Sequence, residues 1–229
     1  MAISSASIKR YLSGGASNSD PLLSLGDVIS STVLATLTLH ALFDVVDGTE
    51  ASAGDTEYRC WYLKNDDSVT AGSFVVGTVY TILTAGTTDF TAIGAANSNV
   101  GTTFTATGVG TGTGTAGRTY QSVDIYIKTQ TPSSDTAYAI GLDNAGVGDG
   151  STTGVAYDGT GSSEGTAPPS ANPGVSTWQA GVGAGNALTI GDIKAGEVQA
   201  VWVRRTVTAG ASAYSTDNVE ITVSGDSSA

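Results

Sequence analysis

Four stretches of the chain, 57–64, 122–130, 197–205 and 219–224, place hydrophobic residues at every second position. That period is the spacing of a β-strand that buries one face. In 122–130, Val123, Ile125 and Ile127 share one face while Asp124, Tyr126 and Lys128 take the other, which predicts a strand with one wet side. In 197–205, Val198, Ala200, Trp202 and Arg204 alternate with Gln199, Val201, Val203 and Arg205. Bulky apolar groups on both faces predict a strand inside a sandwich, its second face partly covered by a neighbour. Only one stretch has helical spacing. Leu39, Leu42, Phe43 and Val46 fall at i, i+3, i+4 and i+7, which predicts one or two turns packed on a core and stopped by Gly48.

The rest of the pattern concerns connections. Residues 1–35 read as an extended N-terminal docking arm, with Ile8, Tyr11 and Leu12 as its anchors, because 13–21 (SGGASNSDP) cannot continue a regular element. Residues 141–176 form a long loop region rich in Gly, Ser, Thr, Asp and Pro, a length that in compact domains is functional or poorly ordered. Residues 72–117 differ in kind: of these 46, 10 are Gly and 13 are Thr, and only Asp89 is charged. A strand leads in at 58–64 and another leads out at 123–128, so excising the segment leaves a hairpin with a short polar loop. The segment therefore reads as a small all-β insert at a hairpin tip, where insertion costs little stability. Its strands are expected at 74–76, 79–83 and 103–106, and its core from Phe74, Tyr80, Ile82, Phe90, Ile93 and Phe104. Asp89, Asn97 and Asn99 mark its exposed surface. The host is then 36–71 with 118–229, and the fold class is an all-β sandwich of immunoglobulin-like or jelly-roll type.

Composition narrows the chemistry. The 229 residues include 9 basic and 21 acidic ones, a formal −12, with a single His, His40, and a single Cys, Cys60. A Cys-based zinc site and an internal disulfide both need a second thiol. A polyanion without a basic patch is unsuited to nucleic acid. The apolar stretch 28–46 is broken by seven polar residues, which speaks against a membrane span, and the N-terminus lacks the pattern of a secretory signal.

Motifs that resemble sites have plainer readings. Residues 112–117 match G-x-G-x-x-G, but a strand pattern follows where a dinucleotide site requires a helix, so the match reads as a flexible way out of the insert. Gly225-Asp226-Ser227 sits at the chain end and reads as a frayed tail rather than a nucleophile turn. Asp143, Asp149, Asp158 and Glu164 have carboxylates suited to Ca²⁺ but follow no calcium-loop spacing, and read as solvated turns. Asp66 and Asp67 are adjacent, so a strand points them to opposite faces, unsuited to paired acid–base work. His40 reads as a packed histidine, and Trp61, Trp178, Trp202, Tyr58 and Tyr62 as sandwich core rather than a carbohydrate platform. Arg204 and Arg205 stand out in an acidic chain. One of them is expected to bridge an acidic neighbour, with a subunit boundary as one possible place. No catalytic, cofactor-binding or metal residues are assigned, and no enzyme activity is expected.

Two segments resemble known proteins. The order 75–82 (VVGTVYTI), 86–95 (GTTDFTAIGA) and 100–108 (VGTTFTATG) resembles a mobile module that recurs in tail, fibre and other structural proteins of tailed bacteriophages. It covers about a fifth of the chain. Outside it, 11–18 (YLSGGASN), 53–60 (AGDTEYRC), 195–197 (AGE) and 201–206 (VWVRRT) are similar to a family of small phage virion proteins. The resemblance implies a non-enzymatic virion component, favouring a capsid decoration or cement protein. That role has the major capsid protein as partner, docking through Ile8, Tyr11, Leu12, Arg204 and Arg205, and a homo-oligomeric state. The alternative is a tail- or fibre-associated protein that binds a receptor or host-surface glycan.

Overall fold

The computed structural model describes residues 5–35, 41–131, 135–212 and 218–227. Its strands are β1 (Ile8–Leu12), β2 (Asp55–Asn65), β3 (Val69–Thr70), β4 (Val79–Thr84), β5 (Thr103–Thr105), β6 (Thr115–Gly117), β7 (Tyr120–Gln130), β8 (Thr136–Leu142), β9 (Leu188–Ile193), β10 (Val198–Val207) and β11 (Val219–Ser227), with one short helix, α1 (Gly48–Ala53). They form three sheets of orders β1-β2-β10-β8, β11-β7-β9 and β3-β6-β4-β5, with every strand pair antiparallel.

The first two sheets pack face to face. Trp61, Leu63, Val201, Val203 and Ile140 from one meet Val123, Ile125, Ile127 and Ile193 from the other, all buried. Period two does the sorting. Residues 61 and 63 of β2 point inward while Cys60 and Tyr62 point outward, and the same alternation runs along β10. β7 keeps one wet face, as its pattern predicts. β2 and β10 do not: the middle of their outer faces is covered, Tyr62 and Cys60 being wholly buried and Trp202 1% exposed.

The cover is built from loops. Residues 13–30 and the long region after β8 lie over the outer face, so neither is a free arm or a loose loop. Ser24 accepts from the Cys60 N–H at its carbonyl, Gly26 bridges to Asp158, and the Ile29 N–H reaches the Gly150 carbonyl. Gly26, at φ 96°, passes so close to Tyr157 that an added Cβ would lie 1.8 Å from its carbonyl oxygen. Only glycine fits such an approach. The expected N-terminal arm is thus part of the sandwich: β1 pairs with β2 from Ile8 opposite Asn65 to Leu12 opposite Trp61.

The expected helical turns are displaced. Described residues 41–47 hold bends and irregular backbone, and α1 begins at Gly48, where the periodicity has the helix end. The cause is a capping box: Asp47 accepts from the Thr49 and Glu50 N–H groups, and Glu50 accepts from the Asp47 N–H. Leu42 and Phe43 still pack on the core, whereas Leu39 and His40 lie outside the described residues.

The third sheet carries its own core. Phe74, Tyr80, Ile82, Phe90, Ile93 and Phe104 are all buried there, joined by Ala95, Ala106 and Ala116. Strands β4 and β5 match expectation, but 74–76 is not a strand. Val75 accepts from the Thr78 N–H, closing a turn that sinks Phe74 into the core and turns Val75 and Val76 outward. Nor is 112–117 a flexible exit: β6 pairs with both β3 and β4, and with β3 the sheet begins at Val69. The element that follows it is β7 and not a helix. Residues 225–227 are likewise not frayed, since β11 pairs through Asp226 with Gln121 and Ser227 with Tyr120.

The hairpin-tip placement of this sheet is also corrected. Both edges of β2 are occupied, by β1 and β10, so β7 has no place beside it and joins the other sheet. The third sheet therefore sits on a crossover between the two layers. Its way in and way out are clamped together. Asp67 takes two hydrogen bonds from the Arg118 guanidinium, at 2.9 and 2.6 Å, and a third from the Arg118 backbone N–H at 2.9 Å. Asn65 donates to the Arg118 and Ile193 carbonyls. Gly117 runs against this clamp, where a Cβ would lie 2.0 Å from the Asp67 carbonyl oxygen.

Candidate functional site

The residues singled out for docking fall in three places. Ile8, Tyr11 and Leu12 lie on β1. Leu12 is 1% exposed and spent on the chain's own core. The Tyr11 hydroxyl donates to Asp66, which also pairs with Lys9 at 3.1 Å and Lys64 at 3.0 Å. Burial, then the Asp66 carboxylate, push the Tyr11 hydroxyl up to about 12. Asp66 faces this cluster while Asp67 faces Arg118, and both lie in the connection between β2 and β3 rather than on a strand. Beside β1 lies an open hollow of about 250 Å³ lined by Leu12, Pro21, Val33 and Leu34.

Arg205 is buried. Its guanidinium pairs with Glu57, directly opposite on β2, and with Asp44 at 3.3 Å, and it donates to the Asp44 carbonyl at 2.7 Å. Arg59 pairs with Glu164 and stands 3.7 Å from Glu57. Both guanidinium groups approach the Phe43 ring, Arg205 at 5.0 Å and Arg59 at 5.5 Å from its centre. The acidic neighbour is therefore within the chain. Glu57, 1% exposed, is pushed up to about 7 by burial, against the pull of Arg205 and then Arg59. Asp44, Glu50 and Glu57 bring carboxylate oxygens within 4.8 Å of one another, but Arg205 already bonds two of the three. The chain supplies its own cation there.

Arg204, the next residue, faces the opposite side of the sheet. Its guanidinium lies 5.2 Å from the centre of the Trp178 ring, and the Tyr58 ring lies 5.6 Å from the same indole. Tyr58 is the direct cross-strand partner of Arg204. All three side chains are half-buried.

On the third sheet, Asp89, Asn97 and Asn99 are exposed, and two of them are engaged by their own turns. Asp89 accepts from the Thr91 N–H and hydroxyl, which hold its carboxyl below the usual range. Asn97 accepts from the Asn99 N–H and the Thr102 hydroxyl. Sequence reasoning missed the exposed apolar residues of this sheet: Val75, Val76, Val100 and Val109, the last three more than half exposed. Isolated valines in a Thr-rich run carry no signal of exposure, since the same residues suit a strand core.

The acidic loop residues have separate roles. Asp149 accepts from Ser151, Thr152 and Thr153, whose hydroxyl and N–H groups hold its carboxyl far below the usual range. Asp158 closes a turn with Thr160. Asp143 is not the solvated turn expected of it. It is 2% exposed and accepts four hydrogen bonds: from the N–H groups of Ala145 at 2.9 Å, Gly174 at 3.1 Å and Tyr157 at 2.9 Å, and from the Trp202 indole N–H at 3.0 Å. One carboxylate thus ties three pieces of the loop cover to β10. Of the aromatic residues weighed as a platform, Trp61, Tyr62 and Trp202 are core, as expected, and Tyr58 and Trp178 are half-buried; the Tyr62 hydroxyl donates to the Asp27 carbonyl and accepts from the Ala156 N–H inside the cover. No helix among the described residues is long and apolar enough to cross a membrane. Comparisons with protein-family models, with curated proteins and with solved structures find no match to this chain.

Proposed function

We propose that this chain is a non-enzymatic structural component of a tailed-bacteriophage virion, a decoration or cement protein on the capsid surface. The observation that carries the reading is the segment resembling the phage module: it folds as a separate sheet with its own core, hung from the sandwich by the Asp67–Arg118 clamp. A unit closed at its neck is a surface passenger that leaves its host's fold intact. Its lack of charge suits display on a crowded shell, since it adds no repulsion between copies. Docking cannot rest on a detachable arm, because β1 belongs to the sheet. It rests on the outer faces of the sandwich instead, repeated by the symmetry of the shell.

The test is a density map of the whole particle, read for where this mass repeats, together with a deletion of 69–117. Density over the capsid lattice and loss of shell stability in particles lacking the chain support the cement role. Density at the tail, with adsorption lost and assembly intact on deletion of 69–117, supports the receptor-binding alternative. Turnover of a polysaccharide by the purified chain would overturn both.

A further inference from the structure

We propose that the Tyr58–Trp178–Arg204 patch is a binding subsite for an acidic saccharide, in which the Arg204 guanidinium holds the sugar's carboxylate and the aromatic side chains carry its ring. The observation is one of donors without an acceptor. Seven of the nine basic side chains pair with carboxylates of their own chain. Arg204 is not one of them, and its guanidinium lies against an indole instead. Among the described residues that guanidinium makes no hydrogen bond, and neither does the Tyr58 hydroxyl or the Trp178 indole N–H. Glu164, whose carbonyl accepts the Tyr58 N–H at 2.9 Å, gives its carboxylate to Arg59 on the other face of the sheet and so does not neutralise Arg204. An uncompensated guanidinium beside an indole N–H and a phenol is rich in donors. The ligand that answers it is an anion with several acceptor oxygens.

The patch is fixed by its surroundings. Gln179, next to Trp178, exchanges both backbone hydrogen bonds with Ile140, at 2.9 and 2.8 Å, which fastens the indole's segment to the edge of β8. That segment lies close on Gly141, where a Cβ would collide with Val175 and come within 3.5 Å of the Trp178 ring. Tyr58 and Ala139 are the direct cross-strand partners of Arg204. The next row on the same face is Thr56, Thr206 and Ala137, small residues of which the threonines are half-buried and the alanine exposed. Aromatic faces and a cation beside such a row suit a ring that is apolar on its C–H face and polar at its rim. A uronic or sialic acid is such a ring, and its carboxylate matches the planar fork of an arginine. One such contact is weak, and repetition of the chain over a surface multiplies it. The subsite belongs to the sandwich and not to the third sheet, and it does not depend on where the chain sits on a particle.

Titration of the isotope-labelled full chain with methyl glucuronide, followed by NMR, tests it. The chain has three tryptophan indole N–H signals, and Trp178→Phe identifies the one that belongs to the patch. That signal is expected to move with a dissociation constant on the order of a millimolar, while those of the buried Trp61 and Trp202 stay. Methyl glucoside, the same ring without the charge, should bind roughly ten-fold more weakly or worse. Arg204→Gln should bring glucuronide down to the level of glucoside and leave the Trp202 signal in place, which misfolding would not do. A Trp178 signal that ignores glucuronide overturns the proposal, as do equal affinities for the two sugars or an Arg204→Gln chain that still prefers the acid. Acetate bound as tightly as glucuronide overturns the saccharide, since the carboxylate alone would then account for binding. Each of these failures leaves the virion reading to its own density-map test.

Discussion

Asp143→Asn is the most informative single change in this fold. The substitution keeps shape and volume but replaces one acceptor oxygen with an NH₂ group. Whichever way the amide turns, two of the four donors, either Ala145 and Gly174 or Tyr157 and Trp202, face a donor. Hydrogen bonds to a charged group contribute about 1.5–3 kcal/mol each, so losing two costs about 3–6 kcal/mol before the buried N–H groups find water. A protein of this class has a total stability of about 5–15 kcal/mol. At about 2–4 °C per kcal/mol for a chain of this size, the melting temperature should fall by roughly 6–24 °C. Guanidinium unfolding followed by tryptophan fluorescence measures the loss directly, because Trp202 is one of the orphaned donors. Trp202→Phe removes one donor together with its need, and should cost less than Asp143→Asn. If Asp143→Asn unfolds within about 1 kcal/mol of the wild type, the carboxylate does not hold the loop cover, and the reasoning fails.

Three further outcomes follow from the buried polar groups. Asp67→Ala strips the clamp and takes the carboxylate away from the buried Arg118 guanidinium, at a cost of about 3–5 kcal/mol; hydrogen exchange should show lost protection in 69–117 first, and uniform protection would contradict the clamp. Glu57 has its folded-state proton affinity raised from 4.5 to about 7, so its contribution to stability is full below pH 4.5 and is lost as pH rises to about 7. The melting temperature of the wild type relative to that of Glu57→Gln should accordingly fall as pH rises across that window, and a wild type that gains on the variant would refute the sign. Cys60 is fully buried and its thiol is pushed well above the usual range, first by burial and then by the Asp143 charge. It should resist maleimide at neutral pH in the native state and react on unfolding, as intact-mass measurement would report.

Local pattern was enough for much of this architecture. Val123, Ile125 and Ile127 repeat with period two because one face of β7 is buried and the other wet, and that is a property of the strand alone. The six large residues of the third sheet were likewise legible, since a run almost free of charge has few other side chains with which to close a core. What period two cannot say is which strand lies beside which. The hairpin expected of β2 and β7 fails because β1 and β10 already hold both edges of β2, and those partners come from opposite ends of the chain. Burial of short polar residues is hidden for the same reason. Asp143 resembles any turn aspartate until residues 145, 157 and 174 and Trp202, up to 59 positions away, converge on it. Arg204 and Arg205 are adjacent and alike on paper, yet alternation sends one inward to Glu57 and the other outward to Trp178. Residue type and spacing set the strands and their faces; the roles of the charged groups were decided by long-range pairing, because a charge is defined by what surrounds it.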